Sequence, residues 1–226
     1  MEEIIKALTK CALFRGIAPE RIEKQLQSSG CNLRTFDKGE TICRTEEEFS
    51  SLGFIISGCL ELRKYLSTGN EVSVFHRAPG EMIGGFIIFS DHPVSPYDIL
   101  ASEDSKLLLI PKASVLGVLL KDPGIAENMM RIYANRISQF EKRLELFTYS
   151  SIRQKIAFSL LNDFQVEDGG TILLPFTKTT WAEYLNVSRP SLSRELTVLC
   201  RKGILAVQDR RIDILRKDLL EGMLFN

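Results

Sequence analysis

Two arginine side chains near the start of a predicted helix have the chemistry to read nucleic-acid bases. The segment after Ser188 repeats leucine at helical spacing, and Ser188 and Pro190 both favour the first turn of a helix. With the leucines facing inward, Arg189 and Arg194 lie on the outer face. A guanidinium group donates two parallel hydrogen bonds, which fits the edge of a base in the major groove of DNA. The predicted helix, which ends before Gly203, therefore has the chemistry of a DNA-reading element.

Short elements on either side of this helix complete a winged helix-turn-helix pattern. A helical pattern over Trp181–Leu185 precedes it, and Thr177 is placed to cap that first helix. Two apolar runs follow, Ile204–Val207 and Ile212–Leu215, and the polar residues between them favour a hairpin turn. We expect Trp181 to anchor the core of this small domain rather than to contact DNA.

Basic residues are concentrated in this region. Over the whole chain 29 lysines and arginines balance 29 acidic residues. Within 188–217, however, eight basic residues stand against three acidic ones. Binding to DNA needs only such a local basic surface. The competing interpretation is an ordinary solvated face, in which the two arginines form surface ion pairs with Glu195 or Glu183. The helix-turn-helix pattern favours DNA.

Length and composition are those of an ordinary globular protein. The 226 residues allow two modest domains, and 44% hydrophobic with 26% charged residues is a usual balance. No apolar run is long enough to span a bilayer, and the acidic first residues do not form a signal peptide. We therefore expect a cytoplasmic protein without membrane association. The five cysteines form no C-x-x-C pair, so we expect reduced cysteines and no metal site.

A series of short strands is predicted in the first half of the chain. Alternating apolar and polar residues and glycine-containing turns at even spacing are typical of a β-barrel or jelly roll. The predicted strands are Leu33–Phe36, Glu40–Arg44, Leu52–Ile56, Cys59–Leu66, Glu71–Arg77, Asp98–Glu103 and Leu107–Ile110. Short helices are predicted at 2–15, 19–27 and 112–120.

A long helix is predicted over 125–148, where apolar residues repeat at alternating spacings of four and three. An apolar seam of this period is typical of a contact between two helices of a coiled coil. Met129, Ile132 and Leu146 widen the stripe, so we expect one side of the helix on the β-domain and the seam on a second subunit. The seam consists of Met130, Tyr133, Ile137, Phe140, Leu144 and Phe147.

The order of β-roll, long helix and winged helix resembles the Crp/Fnr family of bacterial transcription regulators, named after the cAMP receptor protein and FNR. The resemblance implies an α+β fold in three parts: a cyclic-nucleotide-binding-like β-roll (jelly roll) at 1–121, a dimerisation helix at 122–149 and a winged helix-turn-helix domain at 150–226. The fragments that carry it are Phe36–Glu40, Ile56–Leu62, Pro79–Glu81, Leu108–Pro111, Ser151–Ala157 and Val187–Arg194.

The resemblance also implies a mechanism. An effector bound in the β-roll changes the packing of the two long helices, and the homodimer then binds a palindromic operator in double-stranded DNA and contacts RNA polymerase. Two recognition helices must lie about 34 Å apart to enter successive major grooves. A transcription regulator of this kind is not an enzyme.

Roles for individual residues follow from the match over Val187–Arg194. Arg194 stands where family members place the arginine that reads guanine, and Arg189 would contact a neighbouring base or a phosphate. Ser193 would meet a base edge. Pro190 occupies the position at which many members place a base-reading glutamate, so a different half-site is expected. Phosphate contacts are expected from Thr179, Thr180, Ser191 and Arg211.

The site at which related proteins bind cAMP is altered. Such members hold the phosphate with an arginine and a small hydroxyl residue after a Gly-Glu turn. Gly80 and Glu81 keep this turn, and Glu81 could hold a ribose hydroxyl. The arginine position falls on Ser95, and Asp98 nearby would repel a phosphate. We therefore expect an organic effector other than cAMP, in a pocket lined by Gly80, Glu81, Ser95, Tyr97, Asp98, Tyr133 and Arg136.

Other cofactors and functions have less support in the sequence. An iron–sulfur cluster of the FNR type needs clustered N-terminal cysteines, and only Cys11 is there. Haem could use His76, His92 or a cysteine, but the two histidines fit surface or hydrogen-bonded residues better. A cupin-like metal-dependent enzyme needs two or three converging histidines, and these two are the only ones. A cyclic-nucleotide-binding module without gene control would leave the winged helix unexplained.

Overall fold

Two compact units make up the chain. The computed structural model describes residues 1–65, 71–164 and 170–225, with the side chains of 71–74 left undescribed. The units are Met1–Asn135 and Arg136–Asn226. Helices and antiparallel sheets occur in both, so the predicted α+β class is confirmed. The predicted end of one strand at Leu66 lies outside the described residues.

Two four-stranded antiparallel sheets form the β-roll of the first unit. Their strand orders are β1-β8-β3-β6 and β2-β7-β4-β5. The strands are β1 (Asn32–Phe36), β2 (Thr41–Cys43), β3 (Ser51–Ser57), β4 (Leu60–Tyr65), β5 (Glu71–Arg77), β6 (Met82–Ile83), β7 (Asp98–Ala101) and β8 (Ser105–Pro111). All the predicted strands are found, with ends that differ by up to two residues.

Side chains from both sheets meet in what we call the roll core, which includes Phe36, Ile55, Leu60, Ile99 and Leu107. A second group, the helix-side core, lies under the short helices and includes Leu8, Phe14, Phe54, Ile88 and Leu108. Strand β3 is buried on both faces, because Ile55 faces the roll core and Phe54 faces the helix-side core. Its continuous apolar run therefore reflects a central strand.

The short helices of the first unit depart from the predicted boundaries. They are α1 (Glu2–Leu8), α2 (Pro19–Gln27), α3 (Gly85–Ile88) and α4 (Lys112–Gly117). The first helix was predicted to reach residue 15, but it ends at Leu8, and a 3₁₀ turn over Ala12–Phe14 places Leu13 and Phe14 in the core. The predicted helix 112–120 is interrupted after Gly117, a residue that weakens helices.

Strand β6 and helix α3 were not predicted. Strand β6 has two residues and α3 has four, about one period each, which is too short to form a repeating sequence pattern. Gly84, between them, has a φ of 79°. A Cβ at Gly84 would lie 2.4 Å from Cε1 of Phe49, so only glycine fits this turn.

Helix α5 (Pro123–Thr148) runs through the division between the units. The Oδ1 atom of the buried Asp122 accepts the N–H of Gly124 at 3.0 Å and fixes the start of the helix. Met129 and Ile132 face the helix-side core, as predicted. Leu146 was expected to face the same domain but lies in the core of the second unit. The apolar side chains of α5 therefore belong to the helix-side core near its start and to the core of the second unit near its end.

The second unit has the winged helix-turn-helix order. Its elements are α6 (Ile152–Asn162), β9 (Thr171–Leu173), α7 (Lys178–Tyr184), α8 (Arg189–Arg201), β10 (Leu205–Gln208), β11 (Arg211–Ile214) and α9 (Lys217–Gly222). The antiparallel hairpin β10–β11 is the predicted wing, and β9 pairs with β11 as a third strand. Trp181 is completely buried, which confirms it as a core anchor.

Candidate nucleic-acid interface and effector pocket

Local hydrogen bonds fix the helix-turn-helix. Oγ1 of Thr177 accepts the N–H of Thr180 at 3.2 Å, and Oγ of Ser188 accepts the N–H of Ser191 at 3.2 Å, so both predicted N-caps are confirmed. Between the two helices Asn186 adopts a φ of 52°, a left-handed conformation that asparagine tolerates better than most residues. The start of α8 that follows this turn is exposed to solvent.

Helix α8 has one buried face and one exposed face. Its buried residues are Leu192, Leu196 and Leu199, as predicted. Arg189, Ser193 and Arg194 are exposed, and Ser191 is half-buried. Nη2 of Arg194 donates to Oγ of Ser191 at 3.1 Å. The first two turns of α8 therefore present two guanidinium groups and two hydroxyl groups on one surface.

The competing ion-pair interpretation of these arginines is not supported. Glu195 is bound by Arg153 of α6, whose Nε lies 2.7 Å from Oε1. Within 1–65, 71–164 and 170–225, neither Arg189 nor Arg194 forms a salt bridge. Their charges face solvent.

Arg211, expected to contact phosphate, is bound within the wing. Its Nε lies 3.0 Å from Oδ1 of Asp213, and its Nη2 donates to Oγ1 of Thr171 at 3.3 Å. The hydrogen bond from Thr171, followed by that from Arg211, lowers the pKa of the Asp213 carboxyl. Thr179 and Thr180 are exposed near the start of α7.

In the first unit, the side chain of Glu81 binds residues of its own turn. Gly80 has a φ of 88°, and Oε2 of Glu81 accepts the N–H of Ala78 at 2.7 Å. Nη1 of Arg77 lies 3.6 Å from the other carboxylate oxygen of Glu81. The carboxylate that could hold a ribose hydroxyl is therefore already engaged.

Ser95 and Asp98 are also used internally. Ser95 is fully buried, and its hydroxyl donates to the carbonyl of Tyr97 at 2.7 Å. Oδ1 of Asp98 accepts both the N–H of Thr45 at 2.7 Å and its hydroxyl at 2.9 Å. The side chain of Asp98 thus holds the loop between β2 and β3 against the start of β7.

Two residues that were not predicted, Phe75 and Lys64, lie beside Tyr97. The rings of Phe75 and Tyr97 meet edge to face with centroids 5.9 Å apart, and Nζ of Lys64 lies 5.9 Å from the centroid of Tyr97. Phe75 stands opposite Leu62 in the β4–β5 ladder, and Leu62 and Tyr97 pack on the roll core. The aromatic site forms because β4 and β5 pair in this register, and no pattern in the sequence specifies the register.

The remaining two predicted pocket residues are Tyr133 and Arg136. Tyr133 is half-buried against the helix-side core, and its Oη lies 3.1 Å from the place of a Cβ on Gly85. Arg136 is exposed and belongs to the second unit. The participation of Tyr133 and Arg136 in an effector pocket stays a prediction.

The apolar seam predicted on α5 is mostly exposed. The exposed fractions are 64% for Met130, 60% for Ile137, 66% for Phe140, 54% for Leu144 and 47% for Phe147. Tyr133, the remaining member, is half-buried. Exposed apolar stripes on a helix are typical of surfaces that bind another protein.

Comparison with known proteins identifies both domains. Residues 33–122 match the family model of the cyclic nucleotide-binding domain, and residues 154–223 match that of the Crp-like helix-turn-helix domain. The chain belongs to the Crp/Fnr family. It is a DNA-binding transcription regulator with a cyclic nucleotide-binding domain, so the predicted resemblance is confirmed.

Two curated relatives of this Crp/Fnr regulator span most of its length. The cyclic AMP receptor protein of Thermus thermophilus is 25% identical over 213 residues, which cover 94% of this chain and 96% of the relative. The transcriptional activator protein FnrA of Stutzerimonas stutzeri is 26% identical over 189 residues, which cover 80% and 76%. The two relatives have different names and nearly equal identity, so neither assigns an effector to this chain.

Solved structures support the fold. The catabolite activator protein of Thermus thermophilus matches with a TM-score of 0.56 at 24% identity, covering 95% of this chain and 98% of that one. The OCPA complex of CprK matches with a TM-score of 0.61 at 19% identity, covering 90% and 93%.

In the described part of the chain, no group of three or more histidine, cysteine, aspartate or glutamate side chains is placed to hold a metal ion. The cysteines are free thiols, and burial raises the pKa of Cys43 to about 11, with a smaller contribution from Glu47. None of the helices in the described ranges is long and apolar enough to cross a membrane.

Proposed function

We propose that this Crp/Fnr regulator is a homodimer that binds a palindromic operator through Arg189 and Arg194, under the control of an organic effector in the β-roll. One observation carries the DNA-binding part. Both guanidinium groups are exposed at the start of α8, and the neighbouring acid, Glu195, is neutralised by Arg153 instead. The arginines therefore keep their charge and most of their hydrogen-bond donors for a partner.

The chemistry of each exposed group suggests its role. Arg194 reads guanine through a bidentate contact, and Arg189 contacts a neighbouring base or a phosphate. Ser193 meets a base edge. The wing arginine, Arg211, reaches a phosphate with the N–H groups that its contacts to Asp213 and Thr171 leave available. Further phosphate contacts come from Ser191, Thr179 and Thr180.

The exposed seam of α5 supports the homodimer. Five large apolar side chains at coiled-coil spacing lose contact with water when a second copy of α5 packs on them. We therefore retain the functional division into a sensing domain at 1–121, a dimerisation helix at 122–149 and a DNA-binding domain at 150–226. The operator-bound dimer is proposed to contact RNA polymerase, as the family resemblance implies.

The residues of the β-roll do not fit cAMP. The position for a phosphate-binding arginine is Ser95, whose hydroxyl is used by the backbone of Tyr97, and Asp98 adds a negative charge. The aromatic pair of Phe75 and Tyr97 with the ammonium of Lys64 instead favours a small aromatic carboxylate as the effector.

Selection of binding sites from random double-stranded DNA, followed by footprinting, tests the proposal. Wild type should enrich a palindrome whose half-sites lie about one helical turn apart, or about 34 Å. Arg194→Ala should weaken specific binding to the palindrome by at least about fivefold, since one bidentate base contact is worth about 1–3 kcal/mol. Arg201→Ala, at the exposed end of α8, should protect the same palindrome. Equal protection by wild type and Arg194→Ala would refute this assignment.

A further inference from the structure

We infer that Ser191 is a positioning residue that holds the guanidinium of Arg194 in its reading orientation before DNA binds. The inference rests on the proposed role of Arg194. Its basis is a short chain of hydrogen bonds at the start of α8, in which Nη2 of Arg194 donates to Oγ of Ser191 at 3.1 Å.

The N-cap residue anchors this chain of hydrogen bonds. Oγ of Ser188 accepts the backbone N–H of Ser191 at 3.2 Å and donates to Oγ of Ser191 at 2.8 Å. The backbone at the first turn of α8 thus fixes the hydroxyl of Ser188, and Ser188 fixes the hydroxyl of Ser191. The guanidinium of Arg194 is tied through two serines to the start of its own helix.

The hydroxyl of Ser191 and the guanidinium of Arg194 both keep hydrogen-bond donors with which to bind DNA. Oγ of Ser191 accepts from Ser188 and from Arg194, which uses both of its lone pairs, so its own hydrogen is free to donate to a phosphate oxygen. A guanidinium has five N–H donors, and one bond to Ser191 leaves four, enough for a bidentate contact with guanine. The hydrogen bond to Ser191 therefore does not prevent Arg194 from recognising guanine.

Restraint of Arg194 strengthens specific binding because a free arginine loses side-chain entropy when it docks. The neighbouring serine provides the contrast. Ser193 is exposed on the same helix, and within the described residues its hydroxyl forms no hydrogen bond, while its carbonyl accepts the hydroxyl of Thr197 at 2.9 Å. Ser193 can contact DNA, but it is not placed to orient Arg194.

A double-mutant cycle tests this inference. Affinities of wild type, Ser191→Ala, Arg194→Ala and the double variant are measured on the selected operator at about 50 mM salt, where residual binding is strong enough to quantify. Ser191→Ala should weaken wild-type binding by about fivefold to tenfold, the usual effect of one hydrogen bond. In the Arg194→Ala background the same change should weaken binding by a smaller factor, because only the phosphate contact of Ser191 remains to be lost. Ser193→Ala should have the same effect in both backgrounds.

Two further variants separate positioning from a fold defect. Ser191→Thr keeps the hydroxyl and should retain affinity, while the similarly shaped Ser191→Val should lose it. Ser191→Val should also lose discrimination against replacement of the guanine that Arg194 reads. Equal losses for Ser191→Ala in both backgrounds, or unchanged discrimination in Ser191→Val, would show that Ser191 is only a phosphate contact and overturn the inference. If wild type selects no palindrome, the proposed function fails instead.

Discussion

The indole Nε1 of Trp181 donates a 3.0 Å hydrogen bond to Oγ of Ser159, and both side chains are fully buried in the second unit. The bond joins α7 to α6 at the centre of the winged helix. Ser159→Ala is expected to lower the free energy of unfolding by about 1–3 kcal/mol, because it leaves a buried N–H without an acceptor. Urea unfolding followed by circular dichroism measures the change. The exposed Ser193→Ala should stay within about 0.5 kcal/mol of wild type. Wild-type stability in Ser159→Ala would contradict a structural role for the bond.

Alkaline pH should weaken the same unit through Tyr184. Burial, with the charge of Asp163, raises the pKa of this phenol to about 12, against about 10 for an unfolded chain. The stabilising contribution of the neutral phenol is complete below pH 10 and is lost as the pH rises from about 10 to about 12. Urea unfolding between pH 8 and pH 11 should show stability falling above pH 10 and a shallower fall for Tyr184→Phe. Identical slopes for the two proteins would exclude Tyr184 as the cause.

Dimerisation should depend on the exposed seam of α5. Phe140 is 66% exposed, and a carboxylate in its place would be buried against an apolar partner helix. Phe140→Glu is expected to be monomeric at micromolar concentration and to lose operator affinity, since a monomer contacts a single half-site. Sedimentation velocity measures the change. Gln139→Glu introduces the same charge one residue away from the seam and should remain dimeric. A dimeric Phe140→Glu would place the subunit contact elsewhere.

The winged helix could be predicted almost completely because its signals are local. Ser188, Pro190 and Gly203 mark the ends of α8 in the sequence, and the caps of Thr177 and Ser188 form as expected. Charge and periodicity then place Arg194 on the outer face. The bond from Arg194 to Ser191 depends on rotamers, which no periodic pattern specifies.

The aromatic site of Phe75, Tyr97 and Lys64 could not be predicted to the same degree because its residues meet through strand pairing. Phe75 and Lys64 approach Tyr97 only after β4 pairs with β5 and β7, and a shift of one residue would turn them to the other face. Family position suggested Ser95 and Asp98 instead, and both are occupied by backbone and loop contacts. The glycine-dependent turn at Gly84 is another feature that depends on a tertiary contact, with Phe49.

Ligand binding in the β-roll should follow the chemistry of Phe75, Tyr97 and Lys64. A small aromatic carboxylate at about 100 times its Kd should stabilise the fold by about 2.7 kcal/mol, or several degrees in Tm. Phe75→Ala removes the ring that faces Tyr97 and should reduce the shift, because an aromatic pair contributes beyond its buried area. Lys64→Gln should reduce it as well, since the carboxylate loses its counter-charge. Differential scanning fluorimetry with a panel of aromatic acids and cAMP measures these shifts.

The Tm shift with cAMP decides whether the effector is a cyclic nucleotide or a small aromatic carboxylate. Cyclic AMP presents a phosphate to a site where Asp98 is negative and Ser95 is already hydrogen-bonded, so micromolar cAMP should leave Tm unchanged. Phe225→Ala, which removes a phenylalanine that is 87% exposed in the other unit, should respond to aromatic acids as wild type does. A shift of several degrees with micromolar cAMP, reduced in Phe75→Ala and retained in Phe225→Ala, would show that the β-roll binds the cyclic nucleotide despite the altered phosphate position.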